Sequence, residues 1–324
     1  MTAVTDGRAP DARPAVPDRP RKGVRRRWVS APYWFVAPAV GLFIFSIAAP
    51  IVYTGYLSLR TVKVSGLGLG PDARKEVWAG LSNYGDTLTD HDFLASVGRV
   101  LFYGLIVIPI MLGLALLFAL LLDSARARAR RFARVVIFMP YAVPAVIASL
   151  LWGFLYLPAV SPFEFAADKA GFGLPHVLEP NLVLYAISNI AIWGGTGFNM
   201  IVLYTSLRSI PTELLEAARI DGCSEIQIAL RIKIPILTPS IVMTSLFALI
   251  TTLQVFAEPE VLRPLTNTVS TTWSPLMTIY RDAFTRNDIY SASATSVVLA
   301  VATFVLSFSF LRVVQNRAFA QESR

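Results

Sequence analysis

Long apolar runs alternate along the chain with shorter polar stretches that collect nearly all of its charge. Six apolar segments stand out, at about 31–57, 100–122, 135–157, 182–207, 234–257 and 291–311. At 1.5 Å rise per residue, each is long enough as a helix to cross a hydrocarbon core of about 30 Å. Apolar runs longer than about 18 residues without a charge are rare in soluble cores, so segment length excludes a large soluble protein. Pro38, Pro50, Pro109, Pro140 and Pro144 fall inside these segments. In a membrane bundle neighbouring helices satisfy the carbonyls that a proline frees, so kinks are tolerated there. The pattern predicts an all-α integral membrane protein with six transmembrane helices.

Composition agrees with lipid as the main solvent. Hydrophobic residues make up 55% of the chain and charged residues 15%, against roughly 25% charged in soluble domains. The six segments contain no Asp, Glu, Lys, Arg or His. An ion-coupled secondary transporter, the alternative reading, needs ionisable groups at membrane depth, and the uncharged spans oppose it. A membrane scaffold without transport is a second rival. No Ser-His or His-Glu arrangement suited to catalysis lies in a span, and no G-x-x-x-x-G-K-[ST] phosphate loop occurs. The expectation is a transport subunit that is not an enzyme, binds no cofactor, and takes its energy from elsewhere. His91 and His176 lie in different polar loops and form no metal constellation, and the single cysteine, Cys223, permits no internal disulfide.

The net charge of +8 is unevenly spread. With the N-terminus inside, the inner segments hold 20 Lys and Arg and the outer loops 9. The positive-inside rule therefore places both termini in the cytosol. Anionic lipid of the inner leaflet accounts for the surplus without nucleic acid. Residues 1–30, rich in Pro and Arg, read as a disordered cytosolic tail. Arg25-Arg26-Arg27 flanks an uncleaved span, since the apolar stretch after it is too long for an export signal. Residues 31–318 form the membrane domain and 319–324 a second cytosolic tail. Arg60, Lys63 and Arg99 flank outer ends, where they snorkel or sit in a folded outer loop. In the outer loop 58–99, Gly66-Leu67-Gly68-Leu69-Gly70-Pro71 reads as a turn, not a phosphate cradle.

The inner segment 208–235 differs from the others. Pro211 suits a first helical turn, and Glu213 complements its positive dipole end. Leu214, Leu215, Ala218 and Ile220 give an apolar stripe, and Gly222 permits the left-handed backbone that stops the helix. Ser224 with Gln227 forms a capping box that starts another helix, along which Ile226, Leu230 and Ile234 recur every four residues. Two short amphipathic helices over about 211–231, joined at a glycine, read as a knob for a partner's groove.

Glu216-Ala217-Ala218, then Gly222 after three residues, then Ile232-x-Ile234-Pro235 after nine, resembles the EAA motif of ABC-importer permeases, with Ile234 in place of leucine. Asp221, Ile210-Pro211, Pro140-Tyr141-x2-Pro144, Trp193-x3-Gly197-Phe198-Asn199, and Asn83-Tyr84 ahead of Asp92-Phe93 are similar to the binding-protein-dependent carbohydrate-uptake branch, the maltose and glycerol-phosphate permeases. The resemblance implies a type I ABC importer permease fold in a bacterial cytoplasmic membrane. It implies that Glu216, Ala217, Ala218, Asp221 and Gly222 dock in a cytosolic ATPase subunit. The implied partners are a second, non-identical permease, two ATPases that hold ATP and Mg, an extracytoplasmic solute-binding protein, and a sugar or polyol cargo. The family's T-x-G-G-P element is absent: the outer loop reads Leu265-Thr266-Asn267-Thr268 instead. Cys223 reads as a small packing residue.

A sugar needs hydrogen-bonding side chains and an aromatic face. Asn189, Trp193 and Thr196 share one face of the fourth segment, with Asn199 beyond them, and Thr251 and Gln254 share a face of the fifth. These are the candidate pathway residues; interhelical packing is the competing reading.

Overall fold

The computed structural model describes residues 31–64, 74–124 and 128–319. The expected tail 1–30, the Gly66–Pro71 turn and residues 320–324 lie outside the described residues. The chain divides into two units, residues 1–51 and 52–324. Helix α1 (Tyr33–Ser58) is apolar, with a π turn at Ile44–Ala48. The packing described below belongs to the second unit.

After α1 come two short antiparallel strands, β1 (Arg60–Val64) and β2 (Arg74–Trp78), with Arg60 opposite Trp78. Helix α2 (Ser82–Thr89) leads to the long α3 (His91–Asp123). The third apolar segment is α4 (Arg130–Ala142) and α5 (Ala145–Tyr156). Next are α6 (Pro162–Ala170), α7 (Val183–Leu207), the short α8 (Thr212–Ile220) and α9 (Glu225–Ile228), and α10 (Ile234–Leu253). Helices α11 (Ala257–Leu262), α12 (Pro275–Tyr280) and α13 (Ile289–Phe319) complete the order.

Helix α3 shows why these segments form a bundle. Val100, Tyr103, Val107, Met111, Ala115 and Ala119 fall three or four residues apart and are buried as one stripe. Its other faces are equally apolar yet exposed, as at Leu101, Leu105, Leu117 and Leu121. A helix that is apolar all round but buries one stripe is solvated by lipid on the rest. The buried stripe meets α7, its principal neighbour, and α10. Towards one end it forms a cluster with Ile187, Ile190 and Trp273; towards the other, Ala115, Ala119 and Leu122 meet Met200, Leu203 and Leu237.

The third segment departs from the expected single span 135–157. Helices α4 and α5 meet at a 96° bend. Val143 is extended (φ −81°, ψ 125°), because the Pro144 ring disfavours helical backbone before it and supplies no N–H. Pro38 and Pro109 are absorbed inside continuous helices. The described residues thus include five long apolar helices, or six spans if the bent pair counts as one.

The region 58–99, read from the sequence as an outer loop, is structured where it is described. The Asn83 side-chain amide donates to the carbonyls of Ser58 and Arg60, both at 2.8 Å, and Tyr84 Oη shares a 2.6 Å hydrogen bond with Ser58 Oγ. Asp90 caps α3 by accepting from the amides of Asp92 and Phe93. Two of the flanking cations sit in this folded structure. Arg60 pairs with Glu76, and Arg99 donates to the carbonyls of Thr272 and Trp273. The loop that lacks the double glycine is pinned differently: the Thr266 and Thr268 hydroxyls both donate to the Leu178 carbonyl.

Candidate functional site

Two regions carry the candidate residues. The first is the α8–α9 pair. Pro211 occupies the cap position before α8, one residue ahead of the expected first turn, and Glu213 lies in that turn. Gly222 has φ +83°. The Cys223 amide donates to the Ala218 carbonyl and the Gly222 amide to Arg219, both at 3.0 Å, so the helix closes in a Schellman turn. Ser224 and Gln227 form the full capping box. Arg219 pairs with Glu225 across the turn at 3.0 Å.

One side of this pair faces the bundle. Ala218 and Ile228 are buried, and Leu215 packs on the core cluster with Met200, Leu203 and Leu237. The other side is open. Glu216, Ala217, Asp221 and Gly222 are exposed. Beside them, Ile220, Ile226 and Leu230 stand 86%, 72% and 61% exposed. The four-residue apolar repeat therefore does not face inward as a unit: Ile228 packs and its neighbours protrude. Among the described residues Glu216 makes no ion pair.

Past α9 a π turn at Ala229–Lys233 feeds α10. There Lys233 Nζ donates to Asp123 Oδ2 at 2.6 Å, with side chains 6% and 8% exposed, and Arg208 lies 3.9 Å from the same carboxylate. This ion pair ties the last turn of α3 to the start of α10 beside the paired helices.

The second region is a cavity of about 750 Å³ at the α4–α5 bend, walled by α3, α7 and α10. Helix α7 presents Ile190, Ala191, Gly194, Gly195, Phe198 and Asn199 to it. Of the six pathway candidates, Asn199, Thr251 and Gln254 line the cavity. Asn189, Trp193 and Thr196 lie off it. Asn189 donates to Tyr156 Oη at 2.9 Å, Trp193 packs edge-on against Trp152, and the buried Thr196 hydroxyl donates to the Ile192 carbonyl. One residue of register turns a helix by about 100°, and the lining face is set one step from the polar stripe. Gln254 stands where α10 ends and lines the cavity.

Sequence reasoning did not assign three further lining groups to the pathway. Tyr141 and Phe198 stack at 4.8 Å and form an aromatic platform in the wall. Glu258, in the first turn of α11, lines the same cavity. The available signal for Glu258 was its place as the first charged residue after the fifth apolar segment.

The chain is 27% identical over 289 residues to the sn-glycerol-3-phosphate transport system permease protein UgpA of Agrobacterium fabrum, covering 88% of this chain and 95% of that one. It is 28% identical over 297 residues to the UgpA protein of Escherichia coli, covering 90% and 96%. Its fold matches a bacterial alginate ABC transporter crystallised with an alginate-pentasaccharide-bound periplasmic protein, at TM-score 0.73 and 19% identity, over 88% of this chain and 94% of that one. An ion-coupled carrier finds no support among these matches. A family profile described as the binding-protein-dependent transport system inner membrane component matches residues 111–321. The chain belongs to that family, and it is a multi-pass permease subunit of an ABC importer in the cytoplasmic membrane.

Proposed function

We propose that the chain forms half of a translocation pathway for a carbohydrate-class solute, a sugar, polyol or related ester. Its α8–α9 pair receives the stroke of a separate ATPase. The open side of that pair carries the reading: an unpaired Glu216 beside exposed Ile220, Ile226 and Leu230. Exposed apolar side chains gain by burial in a partner's groove. A carboxylate at the rim sets charge complementarity with a basic cleft. Glu216, Ala217, Ala218, Asp221 and Gly222 form the docking element, with Gly222 shaping the turn. Leu215 and the Asp123–Lys233 pair pass displacement of that element to α3, α7 and α10.

The remaining parts follow from this reading. The chain holds no nucleotide or cofactor of its own, and Mg-ATP resides on two ATPase subunits. A second, non-identical permease supplies the facing wall of the pathway, and an extracytoplasmic binding protein delivers the solute. Both termini are cytosolic, on the side of α8 and α9. Asn199, Thr251 and Gln254 supply hydrogen bonds to hydroxyls, and Tyr141 with Phe198 supplies the face on which a sugar ring stacks.

Glu216→Lys tests the docking element, because it reverses charge on an exposed position that the bundle does not use. Uptake in whole cells should fall about tenfold or more, and the ATPase should no longer co-purify with the chain. Intact uptake with the ATPase still bound would remove Glu216 from the coupling role.

A further inference from the structure

The docking element begins and ends beside one carboxylate. Arg208 caps the C-terminal end of α7, just before the element, and Lys233 stands at the N-cap of α10, just after it. Asp123, the last residue of α3, faces both. Its Oδ2 accepts from Lys233 Nζ at 2.6 Å, and its Oδ1 lies 3.9 Å from Arg208 Nη1. Among the described residues neither cation has another acidic partner. Charge thus closes the element onto α3 from its two ends. The Ser124 carbonyl, next in the chain, accepts from Arg130 of α4 at 2.7 Å, so the same end of α3 also holds the start of the bent segment.

The two contacts differ in kind. Lys233 and Asp123 are 6% and 8% exposed, so parting them strands a desolvated charge. Displacement of the element at this end therefore carries the end of α3 with it. Arg208 is 60% exposed and stands beyond hydrogen-bond reach. A shift of about 1 Å closes it onto Oδ1, and a carboxylate has lone pairs enough for both cations. Because the carboxylate is covered, salt screens this second contact little once it forms.

We propose that Asp123 is a positioning residue for transport. It holds Lys233 throughout and takes up Arg208 as the motor displaces the element, so that the stroke enters the bundle at the end of α3. The proposal rests on the docking reading above and deepens it. Glu216 serves docking, whereas Arg208 and Asp123 serve transmission, and the two steps separate by experiment. Asp123→Asn alone would strand Lys233 in a buried site, whereas substitutions at Arg208 leave that pair whole.

The test uses the whole importer, purified from its host membrane with its partner subunits and set in lipid nanodiscs. The reporter is Thr251→Cys on the cavity wall, in a Cys223→Ala background. A water-soluble maleimide is the probe, with ATP and orthovanadate added or withheld, so that no cargo need be known. With Arg208 intact, nucleotide trapping should change the labelling rate at least about fivefold. In Arg208→Gln the change should shrink to under about twofold, while the ATPase still co-purifies and the melting temperature holds. Arg208→Lys keeps the charge and should restore most of the response; Arg208→Glu repels Asp123 and should abolish it. An undiminished response in Arg208→Gln or Arg208→Glu overturns the proposal. So does a response lost as fully in Arg208→Lys as in Arg208→Gln, since the charge facing Asp123 would then not be what matters. Loss of the ATPase from Arg208→Gln would move Arg208 into the docking surface, overturning the proposal with the docking reading intact. If labelling ignores nucleotide even with Arg208 intact, the coupling reading fails and the proposal falls with it.

Discussion

Asp123 and Lys233 lie 110 residues apart and meet at 2.6 Å with both side chains nearly covered. A buried pair of this kind is a poor source of net stability but a costly one to break, since the remaining charge stays desolvated. Lys233→Met should therefore destabilise the chain by about 3 kcal/mol, less whatever Arg208, already 3.9 Å away, recovers by moving closer. Arg208→Ala removes only the exposed member and should cost under about 1 kcal/mol. Thermal melting of the purified importer in detergent ranks the two. Near-complete recovery in the double variant Asp123→Leu, Lys233→Met would show that the pair acts through mutual compensation. A Lys233→Met melt no lower than that of Arg208→Ala would refute the coupling of these charges. Nothing local in the sequence pointed here. Lys233 counted as one more inner-side cation and Asp123 as the end of an apolar run, because a pairing across the fold leaves no periodic trace.

At the scale of elements, helix α7 packs against α4 through a missing side chain. A Cβ on Gly197 would lie 2.3 Å from the Ile137 carbonyl oxygen and 2.8 Å from Phe138 Cα, both backbone atoms that no rotamer change can move aside. On α3, a Cβ on Gly113 would meet nothing within 4 Å. Gly197→Ala should thus cost about 1–3 kcal/mol through overpacking. Gly113→Ala should be neutral or gain up to about 1 kcal/mol from helix propensity. Melting curves in the same detergent compare them directly, and equal shifts would mean that α7 does not rely on this close approach. The glycine was legible as part of a Trp193-x3-Gly197-Phe198-Asn199 pattern, but its reason was not, since a close approach belongs to two elements. The Gly222 turn and the Ser224–Gln227 box were legible, because their causes lie within four residues of chain. The break at Pro144 falls between these cases. The prolines were visible, but hydropathy does not say which of them a neighbouring helix will absorb.

For the whole molecule, hydropathy located the hydrocarbon-crossing parts but not the ends of the helices. Helix α3 starts at His91 rather than near 100, since its first turns are polar and capped by Asp90. The β1–β2 hairpin escaped notice because strands of five residues beside a membrane carry little pattern. The orientation drawn from charge counts, by contrast, concerns the chain as a unit and can be checked without altering its fold. Cys223 is the only cysteine and sits half-buried in the α8–α9 turn. If that turn faces the cytosol, a membrane-impermeant maleimide should label Cys223 in inside-out vesicles and leave it unlabelled in spheroplasts that expose the outer face. A cysteine at the exposed Ser270 of the loop before α12, in a Cys223→Ala background, should behave in the opposite way. Bound ATPase should slow the labelling of Cys223 in inside-out vesicles, since the docked surface flanks it at Gly222 and Ile226. Labelling of Cys223 from the outer face would invert the topology. It would also place α8 and α9 out of reach of any cytosolic motor, because no rearrangement within a bundle of uncharged spans carries those polar turns across the bilayer.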